Sequence, residues 1–542
     1  MLTTFKDSNR KGIFKKIITL TCFTVFCSTL THGSEKGNLD HRVLLNMQRT
    51  AIVSDVGQIY AYGCNRFWGL GRGNSSKLPL MVEGINAKVL EIYRGASHQM
   101  VRTTEGLYAW GLNDAGQLGT GNYESTYTPV LVTGINCKEI EKIFTNQNGT
   151  FVIKKDGTLH VWGSNDNGQL GLGHKNDVNT PTQVTSLGNG KVVFLYSGIT
   201  SRTDRSTHTI ISLRDGRNFA TGLSENEHNH LGTPNKSLTQ FTLIPEISGV
   251  IKKVDKIFNK FSYLYYAIME SGDVYTWGNF NKKIVPINLL KISNQIGKIK
   301  EIYKKYDNDK EIILLTEDGD AYIHKIDQNF HLIEPDKTIK LTFSSEIDEK
   351  IVTHADQYYL TNKGNLYSYS LENHQRILLK GVEGKIVKFI SYKGRGTYFV
   401  INERGDLYSW GDNWYGQAGV GSTRGDFNLI LSAPKDTRVT EVVPEMSSAL
   451  AFLSNGNIYG WGKNCYGANV TWDTTSERPE KIEGLPTFFS DLKNWQPNKH
   501  KLYPPMFKKR VLAFLTALNK NSYTIPSDIR KLFIKYLTKE EF

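Results

Sequence analysis

Cysteine is scarce in this chain of 542 residues, which contains only five. That number is too small for the disulfide framework that stabilises many small secreted domains, so a hydrophobic core must hold the fold. Hydrophobic residues make up 39% of the sequence and charged residues 22%, a balance typical of folded globular proteins. The length suits either several domains or one large array.

Catalytic and phosphate-binding motifs are also lacking. The sequence contains no G-x-x-x-x-G-K-[ST], no G-x-S-x-G, no H-E-x-x-H and no C-x-x-C. Its 49 glycines instead recur at regular intervals, which is typical of turn residues. We therefore predict a protein that is not an enzyme and that uses no cofactor.

Positive charge is in excess but is not concentrated. The formal net charge is +13, and residues 1–33 contribute five basic residues and one acidic residue to it, which leaves +9 for the rest. Acidic residues are interspersed, and the densest basic cluster is Lys508-Lys509-Arg510. Nucleic-acid-binding domains usually focus their positive charge on one face. The sequence thus gives no strong nucleic-acid signal.

A hairpin pattern recurs along most of the chain. In its fullest copy, residues 151–173, an apolar strand runs into Asp156-Gly157, which predicts a two-residue type I′ turn. A second strand ends at Trp162, and a glycine-punctuated loop follows. The same step from a turn glycine to a residue five positions later, which we call the anchor, occurs nine times, although Gly106 reaches Trp110 one position early. The anchors are Tyr62, Trp110, Trp162, Thr221, Trp277, His324, Tyr369, Trp410 and Trp461.

The spacing of these units indicates a ring of small sheets. Consecutive anchors are 41 to 59 residues apart, in or near the range of propeller blades. One small sheet has two apolar faces and cannot bury both alone, whereas radial stacking buries each face against a neighbour. We predict an all-β propeller in which the anchors supply apolar area between blades.

The repeat resembles that of the regulator of chromosome condensation (RCC1) family. Residues 106–121, 157–173 and 405–421 carry the pattern most fully, and the upstream G-x-x-H appears at residues 95–98. The resemblance covers roughly residues 41–486 and implies an RCC1-like β-propeller, usually of seven blades. The nine units counted here exceed that number.

The first 33 residues resemble a secretory signal peptide. A basic start precedes an uncharged run over residues 17–30, and Thr31 and Gly33 are small residues suited to cleavage after Gly33. We expect an exported or secreted chain with no transmembrane domain after signal removal. A buried N-terminal helix or an uncleaved anchor is the alternative.

The remaining domain organisation follows from composition. A short linker at 34–40 precedes the propeller at 41–486, and a proline-marked linker at 487–505 follows it. Residues 506–542 are predicted to form a small C-terminal α-helical tail, because the apolar residues from Ile529 to Leu537 have helical spacing. Residues 525–537 faintly resemble the first helix of an F-box; a helical cap on the propeller is the alternative.

Three cysteines remain after the predicted cleavage: Cys64, Cys137 and Cys465. Ring closure would bring the units of Cys64 and Cys465 side by side. The two are offset by two positions within their units, however, and disulfide geometry is strict. We do not predict that they pair.

The fourth unit departs most from the pattern. Its post-anchor loop, residues 222–232, is two residues longer than residues 163–171, and residues 199–207 are inserted upstream. In the nucleotide-exchange member of the RCC1 family, a lengthened loop of this kind presses on the GTPase, although the residues here do not match it. A tolerated surface insertion is the alternative. The candidate partner contacts are Arg202, Asp204, Arg205, Glu225, Glu227, His228 and His230.

The glutamates and histidines of this loop also suggest a metal site. Zinc sites need better-defined spacing and further ligands, so we predict no bound metal.

These observations favour an exported protein-protein interaction module or scaffold. The alternatives are a guanine-nucleotide exchange factor for a small GTPase and a secreted protein inhibitor of an enzyme. In each case the expected partner is a protein.

Overall fold

The computed structural model describes residues 43–482 with internal gaps. The internal segments outside the description are 46–48, 55–56, 64–69, 72–75, 147, 200–206, 224–236, 260–261, 281–282, 291–295, 305–310, 326–338, 342–348, 356–357, 370–375, 393–395, 421–426, 433, 435–436, 446 and 464–475. The predicted signal peptide, both linkers and the predicted C-terminal helices lie outside the described residues.

The described residues form nine four-stranded antiparallel sheets, here called blades 1 to 9, each built from four consecutive strands. Blades 1 to 3 comprise β1 (Val43–Leu45), β2 (Arg49–Val53), β3 (Ile59–Gly63) and β4 (Ser76–Met81); β5 (Val89–Arg94), β6 (His98–Thr103), β7 (Leu107–Gly111) and β8 (Thr126–Leu131); and β9 (Ile140–Thr145), β10 (Gly149–Lys154), β11 (Leu159–Gly163) and β12 (Val178–Gln183). Blades 4 to 6 comprise β13 (Val192–Ile199), β14 (Thr207–Leu213), β15 (Arg217–Leu223) and β16 (Ser237–Ser248); β17 (Ile251–Asn259), β18 (Ser262–Met269), β19 (Val274–Phe280) and β20 (Lys283–Leu290); and β21 (Ile299–Lys304), β22 (Glu311–Thr316), β23 (Ala321–Lys325) and β24 (Ile339–Leu341). Blades 7 to 9 comprise β25 (Ile351–Ala355), β26 (Tyr358–Thr361), β27 (Leu366–Tyr369) and β28 (Arg376–Leu378); β29 (Ile386–Ser391), β30 (Thr397–Asn402), β31 (Leu407–Gly411) and β32 (Asn428–Leu431); and β33 (Val439–Pro444), β34 (Ser448–Leu453), β35 (Ile458–Gly462) and β36 (Ser476–Lys481). A short 3-10 helix, Cys137–Glu139, precedes β9.

The hairpin between the second and third strands differs in detail from the predicted one. The amide of Gly157 donates to the Lys154 carbonyl at 2.8 Å, and the amide of Lys154 donates to the Thr158 carbonyl at 2.9 Å. This is a three-residue loop, a type I turn followed by a left-handed residue, so the predicted two-residue type I′ turn is wrong. Such a loop needs one residue with positive φ, and Gly157 supplies it at 88°.

The hydrophobic core lies between the blades. Nine apolar clusters are present among the described residues, and each combines residues from two neighbouring blades. Between blades 2 and 3, for example, Ala109 and Leu118 pack with Ile143 and Trp162. Each apolar face of a blade is therefore buried against a neighbouring blade, which is the physical reason for the repetition.

The ring closes between blades 9 and 1. Ile52 and Tyr62 of blade 1 pack in one cluster with Leu450 and Phe452 of blade 9 and with Ile482, which directly follows its last strand. No strand is exchanged at this seam in the described part of the chain, since β1–β4 and β33–β36 form separate sheets. The propeller thus has nine blades where the resemblance implied seven, and side-chain packing closes it.

The anchors occupy the predicted buried positions. Trp110, Trp162, Trp277, Trp461 and Tyr62 have 0% exposure, and Thr221, His324 and Trp410 are also buried. The side chain of Tyr369 lies outside the description. Seven of the nine anchors are followed by a glycine, whereas Lys325 and Ser370 follow the other two. At Gly163 a close approach demands the glycine, because a Cβ there would lie 2.2 Å from the carbonyl oxygen of Asn148. The expectation that anchors supply buried area between blades is confirmed.

The outer edges of the blades are protected against strand addition. The fourth strands of six blades contain a proline, which cannot donate a backbone hydrogen bond to an added strand. These prolines are Pro79, Pro129, Pro181, Pro245, Pro286 and Pro479. In blades 6, 7 and 8 the outer strands lack proline but have only three or four residues. Across the described residues, no helix has the length and apolar character needed to span a membrane.

Two tryptophan substitutions test the core. Trp162→Ala should lower the free energy of unfolding by about 3–5 kcal/mol, because the indole is fully buried. Trp414→Ala is the matched control: its side chain is 72% exposed, so its effect should stay within about 0.5 kcal/mol. Urea unfolding measures both. Equal effects of the two substitutions would contradict the packing described here.

Candidate functional site

Each end of the propeller has its own kind of connection. Because the strands of a blade run antiparallel in consecutive order, the first-to-second and third-to-fourth connections emerge at one end, and the second-to-third hairpins emerge at the other. We call these ends the loop face and the hairpin face. The post-anchor loops therefore lie on the loop face.

Side-chain amides hold the post-anchor loops in place. In blade 2, Asn113 Oδ1 accepts from the Leu118 amide at 2.9 Å, and Asn113 Nδ2 donates to the Asn122 carbonyl at 2.9 Å. Gln117 Oε1 accepts from the Ala115 amide at 2.9 Å. Bonds of the same kind fix the loops of blades 3 and 8. The asparagine and glutamine of the repeat are thus structural, because they satisfy backbone amides inside the loop.

The same loops bind the anchor of the next blade. Trp162 Nε1 donates to the Gln117 carbonyl at 3.1 Å, and Trp461 Nε1 donates to the Gln417 carbonyl at 2.9 Å. In blade 4 the tryptophan is replaced by Thr221, whose hydroxyl donates to the Gly168 carbonyl at 2.8 Å. Each of these loops is consequently ordered from within and tied to its neighbour.

The loop of blade 8 presents two aromatic side chains on this scaffold. Trp414 is 72% exposed and Tyr415 is 40% exposed. Lys463 of blade 9 places its Nζ 4.7 Å from the centre of the Tyr415 ring, a cation–π contact. We call Trp414, Tyr415 and Lys463 the aromatic patch.

The sister loops hold small or acidic residues in the corresponding positions. Blade 2 has Asp114 and Ala115 there, and blade 3 has Asp166 and Asn167. The bonds that shape the loop are conserved between the three copies, since Gln417 Oε1 accepts from the Tyr415 amide at 2.7 Å. Loop structure therefore does not require the aromatic residues. Sequence reasoning treated unit eight as a regular copy and missed them; the signal was this substitution between sister loops.

The loop face is acidic at blades 2 and 3. Burial raises the pKa of Asp177, and the negative charges of Asp166 and Asp114 raise it further, while a hydrogen bond from the Asn165 amide opposes the shift. Asp114 and Asp166 are exposed. The charge of the loop face at blades 2 and 3 thus has the opposite sign to that of Lys463.

The seven predicted contact residues lie outside the described residues: Arg202, Asp204, Arg205, Glu225, Glu227, His228 and His230. Their flanks are described. Ile199 pairs with Thr207, and Leu223 pairs with Ser237, at the loop-face end of blade 4. The predicted contact segments therefore start and end on the same face as the aromatic patch. Their roles stay predictions.

Neither a metal site nor a disulfide has been found among the described residues. No group of three or more His, Cys, Asp or Glu side chains there is arranged to hold a metal ion. Cys137 is a buried free thiol, while Cys64 and Cys465 lie outside the description. His98 of the G-x-x-H segment is fully buried, with its Nε2 3.4 Å from Thr150 Oγ1, which indicates a structural role.

Comparison with known proteins agrees with the repeat seen in the geometry. The regulator of chromosome condensation (RCC1) repeat matches residues 105–153 and 156–198, and a second form of it matches residues 140–169. The Ultraviolet-B receptor UVR8 of Arabidopsis thaliana is 26% identical over 286 residues, which are 51% of this chain and 60% of UVR8.

Two further similarities cover different shares of the chain. The X-linked retinitis pigmentosa GTPase regulator of Canis lupus familiaris is 32% identical over 143 residues, 26% of this chain and 14% of that protein. The crystal structure of Prp20p from Saccharomyces cerevisiae is 16% identical in sequence to this chain. It covers 82% of this chain and 88% of that chain, with a TM-score of 0.41. The chain thus spans less than two thirds of the length of each of these two sequence relatives.

Fold and loops together define a repeat protein of the β-propeller class. Within that class, residues 105–153 and 156–198 match the RCC1 repeat, and the resemblance predicted from residues 106–121 and 157–173 is confirmed.

Proposed function

We propose that this propeller is a protein-protein interaction module that uses its loop face to bind a protein partner. The observation that carries the proposal is the exposed Trp414 on a loop whose shape does not need it. Tryptophan and tyrosine are enriched among the residues that dominate binding energy at protein interfaces.

The order of the loop adds to this argument. Asn413 Oδ1 accepts from the Ala418 amide at 2.9 Å, and Gln417 fixes the Tyr415 amide. A binding residue on a preordered loop loses less conformational entropy when the partner arrives. The loop that carries Trp414 and Tyr415 is therefore preorganised for binding a partner.

Site-specific cross-linking tests the proposed face. A photoreactive benzoylphenylalanine in place of Trp414 should cross-link a partner in lysate, whereas the same residue in place of Lys155, exposed on the hairpin face, should not. Trp414→Asp, which installs the residue of the sister loops, should weaken partner capture by about 30-fold and leave the melting temperature unchanged. Equal cross-linking from both faces, or full capture by Trp414→Asp, would contradict the proposal.

A second candidate function is guanine-nucleotide exchange on a small GTPase. Its support is the 32% identity over 143 residues to a protein named as a GTPase regulator, together with the extended connections of blade 4 on the loop face. The seven predicted contact residues would then press on the GTPase. A secreted enzyme inhibitor stays a prediction from the sequence.

Nucleotide release tests the exchange function. The full chain should accelerate release of a fluorescent GDP analogue from a captured GTPase, and a deletion that shortens residues 200–206 to Asn-Gly should abolish the acceleration. The two remaining residues can form a hairpin turn, so the pairing of Ile199 with Thr207 is kept. A matched deletion of residues 393–395 in blade 8 serves as control. Unchanged exchange after the first deletion would remove blade 4 from consideration.

We also propose that the chain is exported, on the strength of the signal-like pattern in residues 1–33. N-terminal sequencing of protein recovered outside the producing cell should begin at Ser34. A chain that retains Met1 and stays inside the cell would contradict export.

A further inference from the structure

The chemistry of the aromatic patch narrows the kind of partner segment that it binds, and this step depends on the proposed function. Lys463 contributes a positive charge at the edge of an aromatic surface, with its ammonium held 4.7 Å from the Tyr415 ring centre. Its backbone is fixed, because the Lys463 amide donates to the Ser447 carbonyl at 2.7 Å. The charge is therefore held close to the exposed rings.

No salt bridge joins Lys463 to an acidic side chain within the described part of the chain. Asp412 is the nearest acidic residue in sequence on the blade 8 loop, and its carboxylate lies toward Gly396, since a Cβ there would be 3.2 Å from Asp412 Oδ2. In the described part of the chain, the ammonium of Lys463 contacts the Tyr415 ring and not a carboxylate. A cation over an aromatic face can still accept an anionic partner on its open side.

The negative charges on the loops of blades 2 and 3 repel an acidic ligand, whereas Lys463 attracts one. Asp114 and Asp166 occupy the sister positions of Trp414. Burial raises the pKa of Asp177, and the negative charges of these two residues raise it further. A basic segment is favoured at blades 2 and 3, whereas an acidic one is favoured beside Lys463. The blade 8 loop thus differs from its sisters in both apolar area and charge.

We propose that the aromatic patch binds a protein segment that presents a carboxylate next to an apolar or aromatic side chain. The apolar side chain packs on Trp414, which supplies most of the binding energy. The carboxylate pairs with Lys463, which sets the sign of the charge that is accepted.

A phage-displayed library of 12-residue peptides is the probe. Selection on the immobilised full chain should enrich peptides with Asp or Glu within two residues of an aromatic or aliphatic residue. Binding of the selected peptides should fall about 30-fold in Trp414→Asp. Tyr123→Ala, which alters a 49% exposed aromatic on the blade 2 loop, is the matched control and should leave binding unchanged.

Charge reversal separates this inference from the proposed function. Lys463→Glu should weaken the acidic peptides about tenfold and should enrich Lys or Arg peptides in a fresh selection. Trp414-dependent peptides without acidic residues, or acidic peptides that bind Lys463→Glu equally well, would overturn the inference while leaving an interaction surface at Trp414. A library that yields no Trp414-dependent peptide would overturn the inference, and cross-linking from position 414 would then decide the function separately.

Discussion

The fold depends on one contact repeated around the ring: a buried anchor side chain packed against the preceding blade, to which Trp162, Trp461 and Thr221 are also hydrogen-bonded. Trp162 shows it most fully, with complete burial and an indole N–H bonded to the Gln117 carbonyl. Burial of a tryptophan supplies the apolar area, and the hydrogen bond satisfies its only polar atom. Where the anchor is Thr221, a hydroxyl makes the equivalent bond to blade 3, so the link survives the loss of the ring.

The same contact explains how the ring closes. In the described residues each blade is built from its own four strands, so no strand shared between the chain ends holds blades 9 and 1 together. Tyr62, an anchor like the others, packs with Leu450 and Phe452 across the seam. Among the described residues, the last interface is therefore apolar packing of the same kind as at the other eight.

Much of the fold was predictable from the sequence because the repeat is local. The step from Gly157 to Trp162 fixed the hairpins, the anchors and the number of units, and each has a counterpart in the structure. The turn type was predicted wrongly because Asp-Gly fits both a two-residue and a three-residue loop, and only the register of Ile153 with Leu159 separates them. The family resemblance suggested seven blades, whereas the count of units gave the observed nine.

The candidate site was less predictable. Pattern matching identifies residues that recur in every unit, so it did not identify Trp414. This residue differs from Asp114 and Asp166, which occupy the same position in the sister loops. The seven residues of blade 4 that the sequence singled out lie outside the description and stay predictions.

Electron microscopy of single particles tests the central claim most directly. End-on class averages of the full chain should show nine blades in an unbroken ring, with no wider gap where the first and last blades meet. A ring of seven or eight blades, or an open arc between blades 9 and 1, would contradict an account in which anchor packing closes the propeller.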